Sequence, residues 1–154
     1  MKDIKKIVLV ISIFILSTQA ICDGLDREVL IFNGTSEASA AVAVNNDMFV
    51  VADDENDILR IYGTGKAGQP VSSFDMTSFL DIEPDHQEAD IEAATRVGWR
   101  IYWITSHGNN KDGKLRSNRY RFFATELDIN DGSVTIRPVG KPYKTLVHEL
   151  LITN

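Results

Sequence analysis

The sequence predicts an all-β chain of repeated antiparallel sheets, on three observations. Short apolar stretches alternate with period two between polar breaks, long runs with helical spacing are nearly absent, and one order of motifs recurs about 51 to 53 residues later. Glu37–Ala41 leads into Met48–Asp53 and then Leu59–Tyr62; Glu88–Ala94 leads into Ile101–Ser106 and then Arg121–Ala124. A period near 50 residues with several strands per unit is the mark of β-propeller blades, and rings of about four to eight blades close. The 134 residues that follow the leader described below hold fewer than three such units. The expectation is therefore a partial β-propeller of two to three antiparallel blades whose ring is not closed, with a short C-terminal helix.

In chain order, strands are predicted at Val29–Phe32, Ser39–Val44, Met48–Ala52, Ile58–Tyr62, Val71–Phe74, Ile91–Val97, Arg100–Thr105, Tyr120–Leu127 and Val134–Val139, each rich in β-branched or aromatic residues. Turn chemistry supports their pairing as neighbours. Asn45-Asn46-Asp47 and Gly98 are short connections, and Asp131-Gly132 is a strong hairpin signal. Thr145–Leu151 places Leu146, Val147, Leu150 and Leu151 at helical offsets. Pro84 and the acidic stretch Asp81–Glu92 separate two strand groups, and Asn109–Asn118 is a polar loop; both are long enough to carry function.

The N-terminus decides the expected compartment. Lys2, Lys5 and Lys6 precede Ile7–Leu16, in which only Ser12 is not apolar, and Thr18 and Ala20 stand at the −3 and −1 places of a cut after Ala20. Such a run is too short to cross a hydrocarbon core, which needs roughly 20 apolar residues. Residues 1–20 thus read as a signal peptide, 21–154 as one domain, and the protein as secreted or periplasmic, with no membrane span after signal removal. Cys22 is the lone cysteine, so no internal disulfide is available, and the large Ile21 before it is at odds with lipidation. Removing the leader leaves 13 basic against 21 acidic residues, a net charge of −8. An acidic surface excludes nucleic acid, whose phosphates need a basic face. Unclosed blades leave exposed edges, which predicts self-association through them. The apolar end Leu150–Asn154 adds the expectation of a longer frame.

Candidate chemistry lies in the second strand group. Glu88, Asp90 and Glu92 form an acidic row; with a spacing of two on a strand, Asp90 and Glu92 project from one face. Hard carboxylate oxygens in a row suit Ca²⁺, which takes about six to eight oxygen ligands; the same acids also fit strand-end caps or arginine pairs. His107 follows an apolar strand and sits at a sheet rim, as a general acid, a metal ligand or a hydrogen-bonded strand end. Ser106 lacks the glycine spacing of a nucleophile elbow. Arg119 and Arg121 can bind phosphate or carboxylate with guanidinium forks, or neutralise the acidic row. Asp53–Asp57, four acids in five residues, reads as a solvated turn rather than a calcium loop. The aromatics Trp99, Tyr102, Trp103, Phe122 and Phe123 are expected to fill inter-sheet space.

The segments Glu-Ala-Asp-Ile-Glu-Ala-Ala-Thr at 88–95 and Arg-Ile-Tyr-Trp-Ile-Thr-Ser-His-Gly at 100–108 carry a resemblance. Over roughly Phe32–Leu151 the chain resembles a bacterial domain-of-unknown-function family of secreted, predicted β-propellers, similar in turn to the esterase-like phytases. Blades there also open on an acidic residue, a small residue and an apolar strand. Members continue into a further blade with an Ile-Glu-Gly type motif, and often carry Glu-Gly where this chain has Glu92-Ala93. The resemblance implies, as an expectation, metal-dependent phosphoester hydrolysis with Ca²⁺ at Asp90 and Glu92, His107 as catalytic residue and Arg119 or Arg121 steering phosphate. A non-catalytic binding or interaction module, or a fragment without independent activity, is the rival expectation.

Overall fold

The structure, a computed structural model, describes residues 29–84 and 88–153. The expected signal peptide, its cut site and Cys22 lie outside the described residues. The fold is mostly β: two four-stranded antiparallel sheets, each an up-and-down meander. The first runs β1 (Ala38–Ala43), β2 (Met48–Asp53), β3 (Asn56–Gly63), β4 (Ser72–Asp75); the second runs β5 (Ile91–Val97), β6 (Arg100–Thr105), β7 (Phe122–Asn130), β8 (Ser133–Tyr143). Helix α1 (Thr77–Leu80) follows the first sheet, and α2 (Leu146–Ile152) follows the second. Between β6 and β7 a 3-10 turn covers Ser117–Arg119.

Local chemistry explains the connections. Asn130 pairs with Ser133, and the two residues between them, Asp131 at φ 48° and Gly132 at φ 78°, form the doubly left-handed turn that matches strand twist. Val44 and Asn45 N–H groups both donate to Met48 O, closing the Asn-Asn-Asp connection. Pro138 and Pro142 occur only on β8, an edge strand, where the missing N–H breaks no inner ladder. The expected strand Val29–Phe32 does not form. Only Phe32 bridges, to Gly68, because Val29 and Ile31 find no cover and remain 81% and 67% exposed.

The sheets stack face to face through one core. Val50, Ala52, Leu59 and Ile61 of the first sheet meet Ile91, Ile101, Trp103 and Phe123 of the second, with Met76 and Leu80 of the α1 segment filling the wedge. Trp103 and Phe123 stack at 6.2 Å, and the Trp103 indole N–H donates to buried Thr125 Oγ1 at 3.0 Å. The first strands of the two sheets, β1 and β5, lie side by side. There Ser39 Oγ donates to Ile91 O, and the Arg96 guanidinium donates to Ala43 O at 2.8 Å and Val44 O at 2.5 Å.

The two sheets share their register. Ala41 pairs with Val51 as Ala94 pairs with Trp103, and both first strands, β1 and β5, carry an irregularity at their start, around Ser39 and around Glu92. Counterparts thus lie 53 residues apart on the first strands and 52 apart on the second strands. On the third strands the spacing is 63, because Arg60 pairs with Val51 where Phe123 pairs with Trp103. The echo read from sequence, Leu59–Tyr62 with Arg121–Ala124, is therefore out by one position at this strand. The cause is the β2–β3 connection of two residues, Asp54 and Glu55, against the long segment 106–121 in the second sheet.

Candidate functional site

The acidic residues gather at one rim, where β1 and β5 begin. Glu37 precedes β1, Asp54 and Glu55 form the β2–β3 turn, and Glu88 and Asp90 precede β5, whose second residue is Glu92. Among the described residues, the carboxylates that converge are Glu37, Asp54 and Glu55, with ligand atoms within 4.8 Å of one another. The charges of Asp54 and Glu55 hold the Glu37 carboxyl above its ordinary range.

The predicted row of Glu88, Asp90 and Glu92 is assembled differently from an extended strand. Asp90 has φ 61°, a left-handed conformation uncommon for a residue with Cβ, and Glu92 sits in the irregularity that opens β5. Their carboxylates therefore do not project as alternate residues of one strand face. Arg119 lies between the first two, with Nη2 2.5 Å from Glu88 Oε1 and Nη1 2.9 Å from Asp90 Oδ2. Glu92 is pushed upward in pKa by partial burial, then by the charges of Asp90 and Asp54. So the arginine neutralises the row, one of the two uses its sequence position allows.

Arg121 does something else. It is 2% exposed, and its guanidinium donates to Leu80 O at 2.8 Å, Ser117 O at 2.7 Å and Asp81 O at 3.1 Å. These carbonyls lie at the end of α1 and the start of the 3-10 turn, so the side chain ties the inter-sheet connection to the long loop. Asn118 completes the clamp: its Oδ1 accepts Glu83 N–H at 3.0 Å and its Nδ2 donates to Glu83 O at 3.1 Å. Arg121 therefore shares no face with Arg119 and cannot reach a phosphate at the rim.

His107 is at the rim, in a left-handed conformation at φ 50°. Its N–H donates to Arg119 O at 2.8 Å, Nδ1 lies 2.9 Å from Thr105 O, and the ring meets Tyr120 edge-on at 5.6 Å. A carbonyl at Nδ1 selects the tautomer with the proton there; Nε2 is enclosed and has no hydrogen-bond partner among the described residues. Ser106 N–H donates to Asp90 O at 2.9 Å, which draws β6's end onto the acidic segment.

Two acids of the Asp53–Asp57 run are not solvated. Asp53 is fully buried, accepting Ser36 N–H at 2.8 Å and Glu55 N–H at 3.1 Å; only Asp54 and Glu55 form the outward turn. Asp57 is 3% exposed and accepts Ala89 N–H at 2.9 Å, joining β3 to the entry of the second sheet. Burial raises its pKa to about 6, with the Ala89 hydrogen bond opposing and the charges of Asp75 and Glu88 adding to the rise. Its partner is 32 residues away, so no local spacing could have identified it.

The aromatics divide. Trp103 and Phe123 are buried between the sheets, whereas Tyr102 and Phe122 stack at 6.1 Å on the outer face, and Trp99 is 61% exposed with Arg96 over its ring at 5.5 Å. Strand alternation requires this split, since neighbours in sequence point to opposite faces. No helix among the described residues is long and apolar enough to cross a membrane. No family model, curated protein or solved structure matches the chain.

Proposed function

We propose that the chain is an exported, propeller-type interaction module: two consecutive blades that act through their surfaces, rather than a catalyst. Two features support the reading: each four-stranded meander has the connectivity of a blade, and the first strands β1 and β5 touch, as first strands of neighbouring blades would. The observation that carries the reading is the commitment of the candidate catalytic groups to structure. Arg121 is consumed by backbone carbonyls, Arg119 by Glu88 and Asp90, and His107 Nδ1 faces Thr105 O. Apolar side chains meanwhile remain on both outer faces, as Phe49 and Ala41 on the first sheet and Tyr102 and Phe122 on the second.

A Ca²⁺-dependent phosphoester hydrolase is the second reading, favoured by the convergence of Glu37, Asp54 and Glu55 beside Asp90 and Glu92. The test is hydrolysis of phytate and simple phosphoesters with and without Ca²⁺. The interaction module predicts rates equal to those of an Asp90→Ala/Glu92→Ala/His107→Ala variant. Ca²⁺-dependent turnover lost in that variant overturns it.

A further inference from the structure

We propose that a second copy of this chain docks on the outer face of the second sheet through the outer face of its own first sheet, so that copies associate head to tail. The proposal rests on the interaction-module reading and names the partner. The exposed face continues, one sheet on, an interface that the molecule already builds within itself. On the first sheet, Val50, Ala52, Leu59 and Ile61 form the face that meets the second sheet, and all four are fully buried. Their register counterparts on the second sheet are Tyr102, Ile104, Phe122 and Ala124. These keep the apolar character and are only half-buried, with Tyr143 and Leu146 lining one side of the pocket over Tyr102, Phe122 and Ala124.

The helices repeat the contrast. Met76 at the head of α1, and Leu80 within it, are 2% and 0% exposed because the second sheet closes over them. Helix α2 occupies the matching place after the second sheet and buries no residue, with Leu151 and Ile152 73% and 67% exposed. The complementary surface is also present. Ala41, Phe49 and Val51 line a groove of about 440 Å³ on the outer face of the first sheet, and their counterparts Ala94, Ile101 and Trp103 receive the first sheet inside the molecule.

A contact between two different patches is heterologous, and it makes a ring when the rotation closes. Two to four copies would supply the about four to eight sheets that such rings hold. One internal tie has no counterpart between chains: Ala43 stands at the position of Arg96, whose guanidinium bonds Ala43 O and Val44 O. The contact between copies is accordingly apolar, weaker than the internal one and concentration-dependent.

Light scattering on protein expressed from the full sequence, from micromolar to millimolar concentration, tests this. The mass should rise to two to four copies. Thr95→Arg on the exit face and Ala41→Arg on the entry face, both at exposed positions, should each weaken association by at least about tenfold. Mixed together, the two variants should form a dimer and stop, since each keeps the face the other lacks. If either arginine variant fails to fold, Thr95→Cys and Ala41→Cys chains in a Cys22→Ser background replace it, and should cross-link with each other but not with themselves. A monomer at every concentration, or a mixture that forms no dimer, overturns the proposal. Phosphoester turnover in the same samples sinks the interaction-module reading instead, whereas monomeric mass without turnover sinks only the head-to-tail docking.

Discussion

Replacing Asp57 with asparagine should make the chain more stable at neutral pH and should remove a pH dependence that the wild type shows. The carboxyl of Asp57 is 3% exposed, and its folded-state pKa is about 6 against an ordinary value of 3.8. Because the folded value is the higher, the folded state binds the proton more tightly. Its contribution is fully present below pH 3.8 and is lost as pH rises through about 6. Two pKa units at 1.36 kcal/mol each amount to about 3 kcal/mol. Asparagine keeps an Oδ1 that accepts the Ala89 N–H and never ionises, so any loss from its amide is the same at every pH. Urea unfolding of both proteins between pH 4 and pH 8 reads the effect, and groups titrating alike in the two cancel in the difference. The stability of Asp57→Asn minus that of the wild type should grow by about 2 kcal/mol across that window, most of the full effect because pH 4 already lies just above 3.8. A difference that stays flat, or that shrinks with pH, refutes the assignment of the burial penalty to this carboxyl.

Other perturbations separate the inner from the outer faces. Trp103→Ala should destabilise by about 3 to 5 kcal/mol in urea unfolding, since it empties core and orphans Thr125 Oγ1, whereas Tyr102→Ala, one residue away on the outer face, should remain below about 1.5 kcal/mol. Arg121→Lys keeps the charge but cannot span the carbonyls of Leu80, Asp81 and Ser117; a loss of about 2 to 4 kcal/mol in chemical unfolding is expected. Gly132→Ala forces a Cβ into φ 78° and should lower stability by about 1 to 2 kcal/mol, read as a lower thermal midpoint with the sheet spectrum retained. Arg119→Gln releases Glu88 and Asp90, and the loss of stability should be larger at low ionic strength than at high, by parallel melts in both.

Period-two alternation was enough to place six of the nine expected strands within two residues at both ends; Tyr120–Leu127 starts two residues early and ends three short, and Val134–Val139 ends four short. Those residues pair with chain neighbours, so the signal is local. Val29–Phe32 failed because alternation reports only that a segment could bury one face, and the first sheet leaves Val29 and Ile31 bare. Aligning the third strands by motif slipped by one position, which for a strand exchanges the two faces; the long connection 106–121 has no sequence marker that fixes its length against the short Asp54-Glu55 turn. At the rim, the acids and Arg119 could be named from sequence, but the division of labour between Arg119 and Arg121 could not. Arg121 is buried because Leu80, 41 residues earlier, offers it a carbonyl. The same holds for Asp57, whose shielding comes from the second sheet and not from its own acidic neighbours.

The hydrogen-bonded ladders of this fold have a consequence for how it can be made. Every strand pairs with the strand next to it in sequence, so the first ladder is complete by Asp75 and the second begins only at Ile91. Non-local order is needed for the contacts between the sheets, the core packing and side-chain ties such as Asp57 to Ala89 N–H, and not for the ladders, so the ladders meet little loop-closure entropy before they form. A ribosome releasing the chain from its N-terminus therefore frees one whole ladder before the next is synthesised. That early ladder has nowhere to hide Val50, Leu59 and Ile61 until Trp103 arrives, so the interval between the two is the stage at which a chaperone or a neighbouring nascent chain has most to hold.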